Sequence, residues 1–138
     1  MISDLASCGA LLDALPDPAL LVGADRRILL ANPAARDLFA APMVGASALS
    51  YIRQPEPAAA MEKGLAMLAD PTLPQHPIEA RMIQTAPTRE TILRVHVAPL
   101  SPESGLPAIL VTLRDISHVE EAEQQRRDFV ANVSHEMR

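Results

Sequence analysis

The octapeptide Thr91-Ile92-Leu93-Arg94-Val95-His96-Val97-Ala98 alternates with period two. Leu93, Val95 and Val97 share one face, while Ile92, Arg94 and His96 share the other. Successive side chains on a strand point to opposite sides, so the run predicts a strand with one buried face. Both neighbouring stretches repeat the pattern. In Ile78–Thr85, Ile78, Ala80 and Met82 alternate with Glu79, Arg81 and Ile83; in Ala108–Arg114, Ile109, Val111 and Leu113 alternate with Leu110, Thr112 and Arg114. Such runs fit an antiparallel sheet covered on one face. The Pro-, Ser- and Gly-rich stretch Pro99–Pro107 reads as the loop between two of these strands.

Working outward to the N-terminus, strands are expected at Ala19–Val22 and Arg27–Ala31, joined by a turn at Gly23–Arg26. Residues 3–15 carry a short amphipathic helix pattern that Pro16-Asp17-Pro18 must end, because proline cannot continue a helix. Asn32-Pro33 opens another helix over Pro33–Phe39, with Asn32 as N-cap and Pro33 in the first helical position. Residues 45–75 read as helix broken by prolines, with Met61, Leu65 and Leu68 on one buried face. The expected fold class is α+β: a five-stranded antiparallel sheet with short helices on one face, followed by a long coiled-coil helix. Residues 1–15 form an N-terminal helix, 16–115 the sheet domain and 116–138 the exit helix.

In the exit helix, Val119, Ala122, Arg126, Phe129, Val133 and Met137 fall on one face, close to an a/d seam for a partner helix. Arg126 is a polar residue in that seam, where it weakens pairing and fixes register, unless it snorkels past the seam. His135 points away from the stripe, on the side of Asp128. Free imidazole, with a pKa of about 6.5, is largely neutral at pH 7 and can attack phosphorus. Glu136 stands where it can hydrogen-bond the ring or take its proton. From geometry alone, a solvated surface histidine is the ordinary reading. Ser134 and His135 do not form a nucleophile and base pair, since adjacent helix residues do not face each other. Asp115, where the last strand gives way to this helix, is a natural N-cap or a partner for Arg114 or another sheet arginine.

The 138 residues are 49% apolar, which supports a folded domain, but only 2% aromatic, so Leu, Ile, Val, Met and Ala must fill the interior. The net charge of −5 and the lack of a basic patch argue against nucleic acid as a partner. Cys8 is the single cysteine, which rules out an internal disulfide and fits a reducing compartment. His76, His96, His118 and His135 lack zinc-type spacing, so no metal site is expected. Haem would need an axial ligand on the helical side. His76 lies in a loop and His96 on the less buried sheet face, and Cys8 lies outside the region where flavin photochemistry needs a thiol. Neither cofactor is expected. No apolar run reaches the length of a membrane span, and the N-terminus has no secretion-signal pattern, so a cytoplasmic segment is expected.

Two stretches resemble known families. Leu15-Pro16-Asp17-Pro18-Ala19-Leu20-Leu21-Val22 with Ile28-Leu29-Leu30-Ala31-Asn32-Pro33-Ala34-Ala35 looks like the start of a PAS domain, and Arg114-Asp115-Ile116-Ser117 resembles the Asp-Ile-Thr that closes a PAS sheet. Gly23-Ala24-Asp25-Arg26-Arg27 departs from the commoner Asp-x-x-Gly turn, with arginines where glycine is frequent. Arg126-Arg127-Asp128-Phe129-Val130-Ala131-Asn132-Val133-Ser134-His135-Glu136-Met137-Arg138 resembles the phosphoacceptor box of sensor histidine kinases. That resemblance implies a bacterial two-component system. His135 would take phosphate from ATP with Mg, with Glu136 assisting, and pass it to an aspartate of a response-regulator receiver domain. Asp115 and Arg126 would transmit the signal within a homodimer. The parent is expected at the inner membrane with this part facing the cytoplasm. The segment itself, without an ATP-binding domain, is expected to be inactive and to hold no cofactor, though a small-molecule PAS ligand stays open. The order PAS then acceptor box resembles the phosphate-regulon sensors. The rival reading is a PAS ligand-binding and dimerisation module with a coiled-coil connector and no phosphotransfer role.

Overall fold

The computed structural model describes residues 5–85 and 90–136. Residues 3 and 4 of the expected first helix, and Met137 and Arg138 of the exit helix, lie outside them. The elements are α1 (Leu5–Asp13), β1 (Ala19–Gly23), β2 (Ile28–Ala31), α2 (Pro33–Phe39), α3 (Pro55–Ala69), β3 (Ile78–Thr85), β4 (Glu90–Pro99), β5 (Ala108–Asp115) and α4 (Ser117–Glu136), with short 3-10 turns at Ala48–Ser50 and Pro102–Ser104. The strands form one antiparallel sheet in the order β2-β1-β5-β4-β3. All five lie where the alternation placed them, to within a residue or two at the ends.

The alternating faces sort as expected. Leu93, Val95 and Val97 of β4, Ile109, Val111 and Leu113 of β5, and Ala80 and Met82 of β3 are buried on one side beneath α3, against Ala60, Met61 and Leu65. Leu68 packs at the rim of this core. The opposite face is not bare. Leu12 of α1 is buried with Ala19, Leu21 and Ala108 in a second, smaller cluster. The expectation of helices on one face therefore holds for α3, while α1 lies across the other, over β1 and β2. α1 also ends earlier than its pattern suggests, because the carbonyls of Leu11 and Leu12 are taken by Ala14 and Leu15 N–H groups in tighter turns.

Residues 45–48, at the start of the stretch expected as broken helix, are a second departure from expectation. Instead of helix, they run beside β2: Gly45 N–H donates to the Ile28 carbonyl, Ile28 N–H to Ala46, and Ala48 N–H to Arg26. Met43 and Gly45 have φ of 69° and 90°, left-handed values that turn the chain out of any helix. In the β1–β2 turn, Arg26 takes φ 70° at the place where glycine is frequent in the family. That backbone costs an L residue roughly 1 kcal/mol or more. Its guanidinium recovers part of this through a two-pronged pair with Glu62 of α3, both contacts at 2.6 Å.

Asn32 joins the pieces. It is fully buried, and it is the one polar side chain in the buried class among the described residues. Its Oδ1 accepts N–H groups from Ala19 at 2.9 Å and Ala35 at 3.0 Å, and its Nδ2 donates to the carbonyls of Asp17 at 2.8 Å and Leu12 at 3.0 Å. One amide thus caps α2, starts β1 and ends α1. Asn and Asp cap helices about equally well, so Asn32→Asp separates capping from this wider role. The aspartate keeps both accepted bonds but aims a second oxygen at two carbonyls. The expected loss in urea unfolding is about 3 kcal/mol at pH 7; equal stability would reduce Asn32 to a cap.

Candidate functional site

The joint between sheet and exit helix is built from the end of β5. Asp115 faces Leu93 across the ladder. The pairing then continues past the strand: Ile116 N–H donates to the Ile92 carbonyl at 2.9 Å, and Ile92 N–H donates to Ser117 Oγ at 2.8 Å. Asp115 Oδ1 accepts Ser117 N–H at 2.9 Å, a turn that leads into α4 from one residue ahead of the cap position, where the Ile116 carbonyl accepts Glu120 N–H. Ile116 is buried beneath the turn. Arg114 reaches Asp17, ahead of β1, at 3.1 Å. One turn into the helix, Glu120 pairs with Arg81 of β3 at 2.9 Å. Sequence reading missed Glu120, Arg81 and the role of Ser117, because nothing local links residues so far apart in the chain.

Beyond this first turn α4 leaves the domain, and none of its described residues is buried. Val119, Phe129 and Val133 of the expected seam are 51%, 68% and 38% exposed, with Arg126 among them. Apolar side chains thus lie exposed along one stripe of α4. The opposite face carries its own polar ladder, Arg127 to Gln124 at 2.8 Å and Gln124 to Asp128 at 2.9 Å. His135 and Glu136 are exposed in the last turn. At 1.5 Å per residue, His135 lies about 27 Å along the axis from Ser117. The structure therefore does not bring His135 and Glu136 together with Asp115; the helix is their mechanical link.

The interior between α3 and the sheet is closely filled. A Cβ on Gly64 would stand 2.7 Å from Val97 Cγ1 and 3.3 Å from Ile109 Cγ2, so the missing side chain is what lets α3 lie on β4 and β5. Val97 is stiff at χ1 and cannot swing aside cheaply. His96 sits on the far side of the sheet, half-buried, and His76 is exposed before β3. Cys8 is half-buried on α1. Among the described residues no three His, Cys, Asp or Glu side chains are grouped to hold a metal ion. No described helix is long and apolar enough to cross a membrane.

A model of the PAS fold matches residues 12–121. The chain belongs to the PAS family. Over its whole length it is 28% identical to Drug sensory protein A of Synechocystis sp., of which it spans 24%. It is also 41% identical over 49 residues, 35% of this chain and 8% of the relative, to the sensor histidine kinase WalK of Bacillus subtilis. The chain therefore spans a quarter or less of the curated relatives it matches. Among solved structures, the PAS domain of BvgS from Bordetella pertussis superposes with a TM-score of 0.57 at 18% identity, covering 92% of this chain and 97% of that one. The C-terminal helix follows the sheet as the sequence implied.

Two stability tests follow from the α3 contacts. Alanine is favoured over glycine within a helix by up to about 1 kcal/mol, yet overpacking costs about 1–3 kcal/mol. Gly64→Ala is therefore expected to lower stability by about 1 kcal/mol in urea unfolding, and a gain would show that α3 has room to spare. The Arg26 hydrogen bonds hold the Glu62 carboxyl below its ordinary value of 4.5. This lowered pKa makes the pair stabilising above about pH 4.5, with the benefit lost as pH falls further. Both partners are largely exposed, so solvent screens the pair and the effect is small. Glu62→Gln should be slightly less stable than the parent at pH 7 and equal to it at pH 3 in thermal melts.

Proposed function

We propose that this chain is the sensory and dimerising segment of a sensor histidine kinase whose phosphoacceptor is His135. The observation that carries this reading is the acceptor box, running from Arg126, on an exposed helix continuous with a PAS sheet. The similarity to a sensor histidine kinase supports it. In the parent, Mg-ATP is delivered by a separate domain. A ring nitrogen of neutral His135 attacks the γ-phosphorus, the bond to ADP breaks, and Glu136 takes the proton released from the imidazole. An aspartate of a response-regulator receiver domain then accepts the phosphoryl group. The exposure of His135 on an outward face leaves both reactions sterically open.

The exposed Val119, Phe129 and Val133 stripe is assigned to the same helix of a second protomer, with Arg126 as the polar residue that keeps the pairing marginal. Asp115 holds the first turn from which that pair diverges, so its loss alters the seating of α4 and hence the presentation of His135. Any small-molecule ligand entering beneath α3 must lift it off Val97 and Ile109. The parent sits at a membrane, with this segment on the cytoplasmic side.

The test is autophosphorylation of the full-length kinase by labelled Mg-ATP. His135→Gln is expected to abolish acid-labile, alkali-stable label, and Asp115→Ala to change the balance of kinase and phosphatase rates while leaving label on His135. Label that persists in His135→Gln points instead to a PAS ligand-binding and dimerisation module with a connector helix. Unchanged rates in Asp115→Ala remove Asp115 from transmission.

A further inference from the structure

At the open edge of the sheet, two positions of β3 are met by side chains from the start of α3 and the residue before it. Gln54, the residue before α3, lies along β3 as a further strand residue would. Its Oε1 accepts Ile83 N–H at 2.9 Å and its Nε2 donates to the Ile83 carbonyl. Glu56, in the first turn of α3, accepts the N–H of Arg81. The side chain of that same Arg81 reaches Glu120 in the first turn of α4 at 2.9 Å. Ile92, which holds Ile116 and Ser117, lies directly opposite Ile83 in the β3–β4 ladder. The start of α3 and the start of α4 are thus fastened to the same two cross-strand positions, one from the edge and one from the end of the sheet.

We propose that β3 is a relay, in which Arg81 couples the seating of α3 to that of α4 through its backbone N–H on one side and its guanidinium on the other. The route is separate from the Asp115 turn, and Gln54, Glu56, Arg81 and Glu120 act in it as positioning residues. It deepens, and rests on, the assignment of α4 as the helix that presents His135. Anything that lifts α3 off Gly64's contacts pulls Gln54 and Glu56 from the β3 margin, which releases Arg81 from its register and weakens its hold on Glu120. Coupling between two sites is reciprocal. Breaking the pair at α4 must therefore also loosen the first turn of α3, although among the described residues Glu120 makes no hydrogen bond or ion pair with that turn. A group of unrelated surface contacts has no such property.

The experiment is amide hydrogen exchange on the 138-residue chain, read in both helices for each change. Gln54→Ala is expected to speed exchange in residues 119–122, and Glu120→Gln to speed it in residues 55–60, each about two- to fivefold, the range of a partly exposed ion pair. The charge-swapped pair Arg81→Glu with Glu120→Arg should restore the rate in α3 that either single change raises. All these side chains are at least partly exposed, so the fold should survive, and an unchanged circular dichroism spectrum checks that it has. Exchange that rises only beside the substituted residue overturns the relay. In the full-length kinase, Gln54→Ala should shift the kinase-to-phosphatase ratio by a similar factor. If exchange responds but the ratio does not while His135→Gln still abolishes labelling, the relay has no regulatory role. If His135 carries no phosphate in the parent, the kinase assignment fails, and the exchange experiment still decides whether the two helices are coupled.

Discussion

The fold depends on one buried amide. A side chain with two donors and one accepting oxygen, placed where water cannot reach, must find all its partners within the protein or cost several kcal/mol. Asn32 finds them among backbone groups at the end of α1, the start of β1 and the start of α2, and only the Leu12 carbonyl among them is shared with a backbone donor, Leu15 N–H. Burying Asn32 therefore fixes the path of the chain from α1 through Pro16–Pro18 into β1. Since β1 pairs with both β2 and β5, the order of half the sheet follows from it. A hydrophobic residue in its place would fill the volume and remove the hydrogen bonds to Ala19, Ala35, Asp17 and Leu12 together.

How much of this is legible in the sequence depends on the distance over which a feature is decided. Alternation in Ile78–Thr85, Thr91–Ala98 and Ala108–Arg114 is local, and it gave both the strands and their buried faces. The cap at Asn32 is also local, since Asn-Pro before a short helix is its own signal. Its other contacts were illegible because they join it to residues 13 to 20 positions away. Residues 45–48 misread as helix for a related reason. Their apolar and small side chains suit one, but the left-handed backbone at Met43 and the pairing with β2 are tertiary facts. α1 was placed on no particular face, because among Ala6, Ser7, Gly9 and Ala10 only Leu12 is large enough and deep enough to decide. At the joint, Asp115 announced itself by position, whereas Glu120, Arg81, Gln54 and Glu56 are ordinary polar residues until the sheet brings them to one margin.

The two halves of the molecule differ in how they are held. In the PAS core, α3 lies against β4 to the limit that Gly64 permits. α4 has only its first turn fixed, by three hydrogen bonds and one partly exposed ion pair. A well-packed core rearranges in discrete steps, while a helix held at one end is free to rotate or tilt as a unit. That contrast suits a structure in which a small change at one end has to become a large displacement at the other, because the lever is long and its pivot is short.

Both margins of the sheet are also covered. Residues 45–48 lie along β2, and Gln54 and Glu56 lie along β3. Unpaired strand edges are what recruit further strands from other molecules, without limit to the number added. With these positions occupied by its own chain, the sheet offers a shorter template for such growth. Helices that meet in a symmetric pair close on themselves. An edge blocked by the chain's own residues, for its part, closes off one route to open-ended growth.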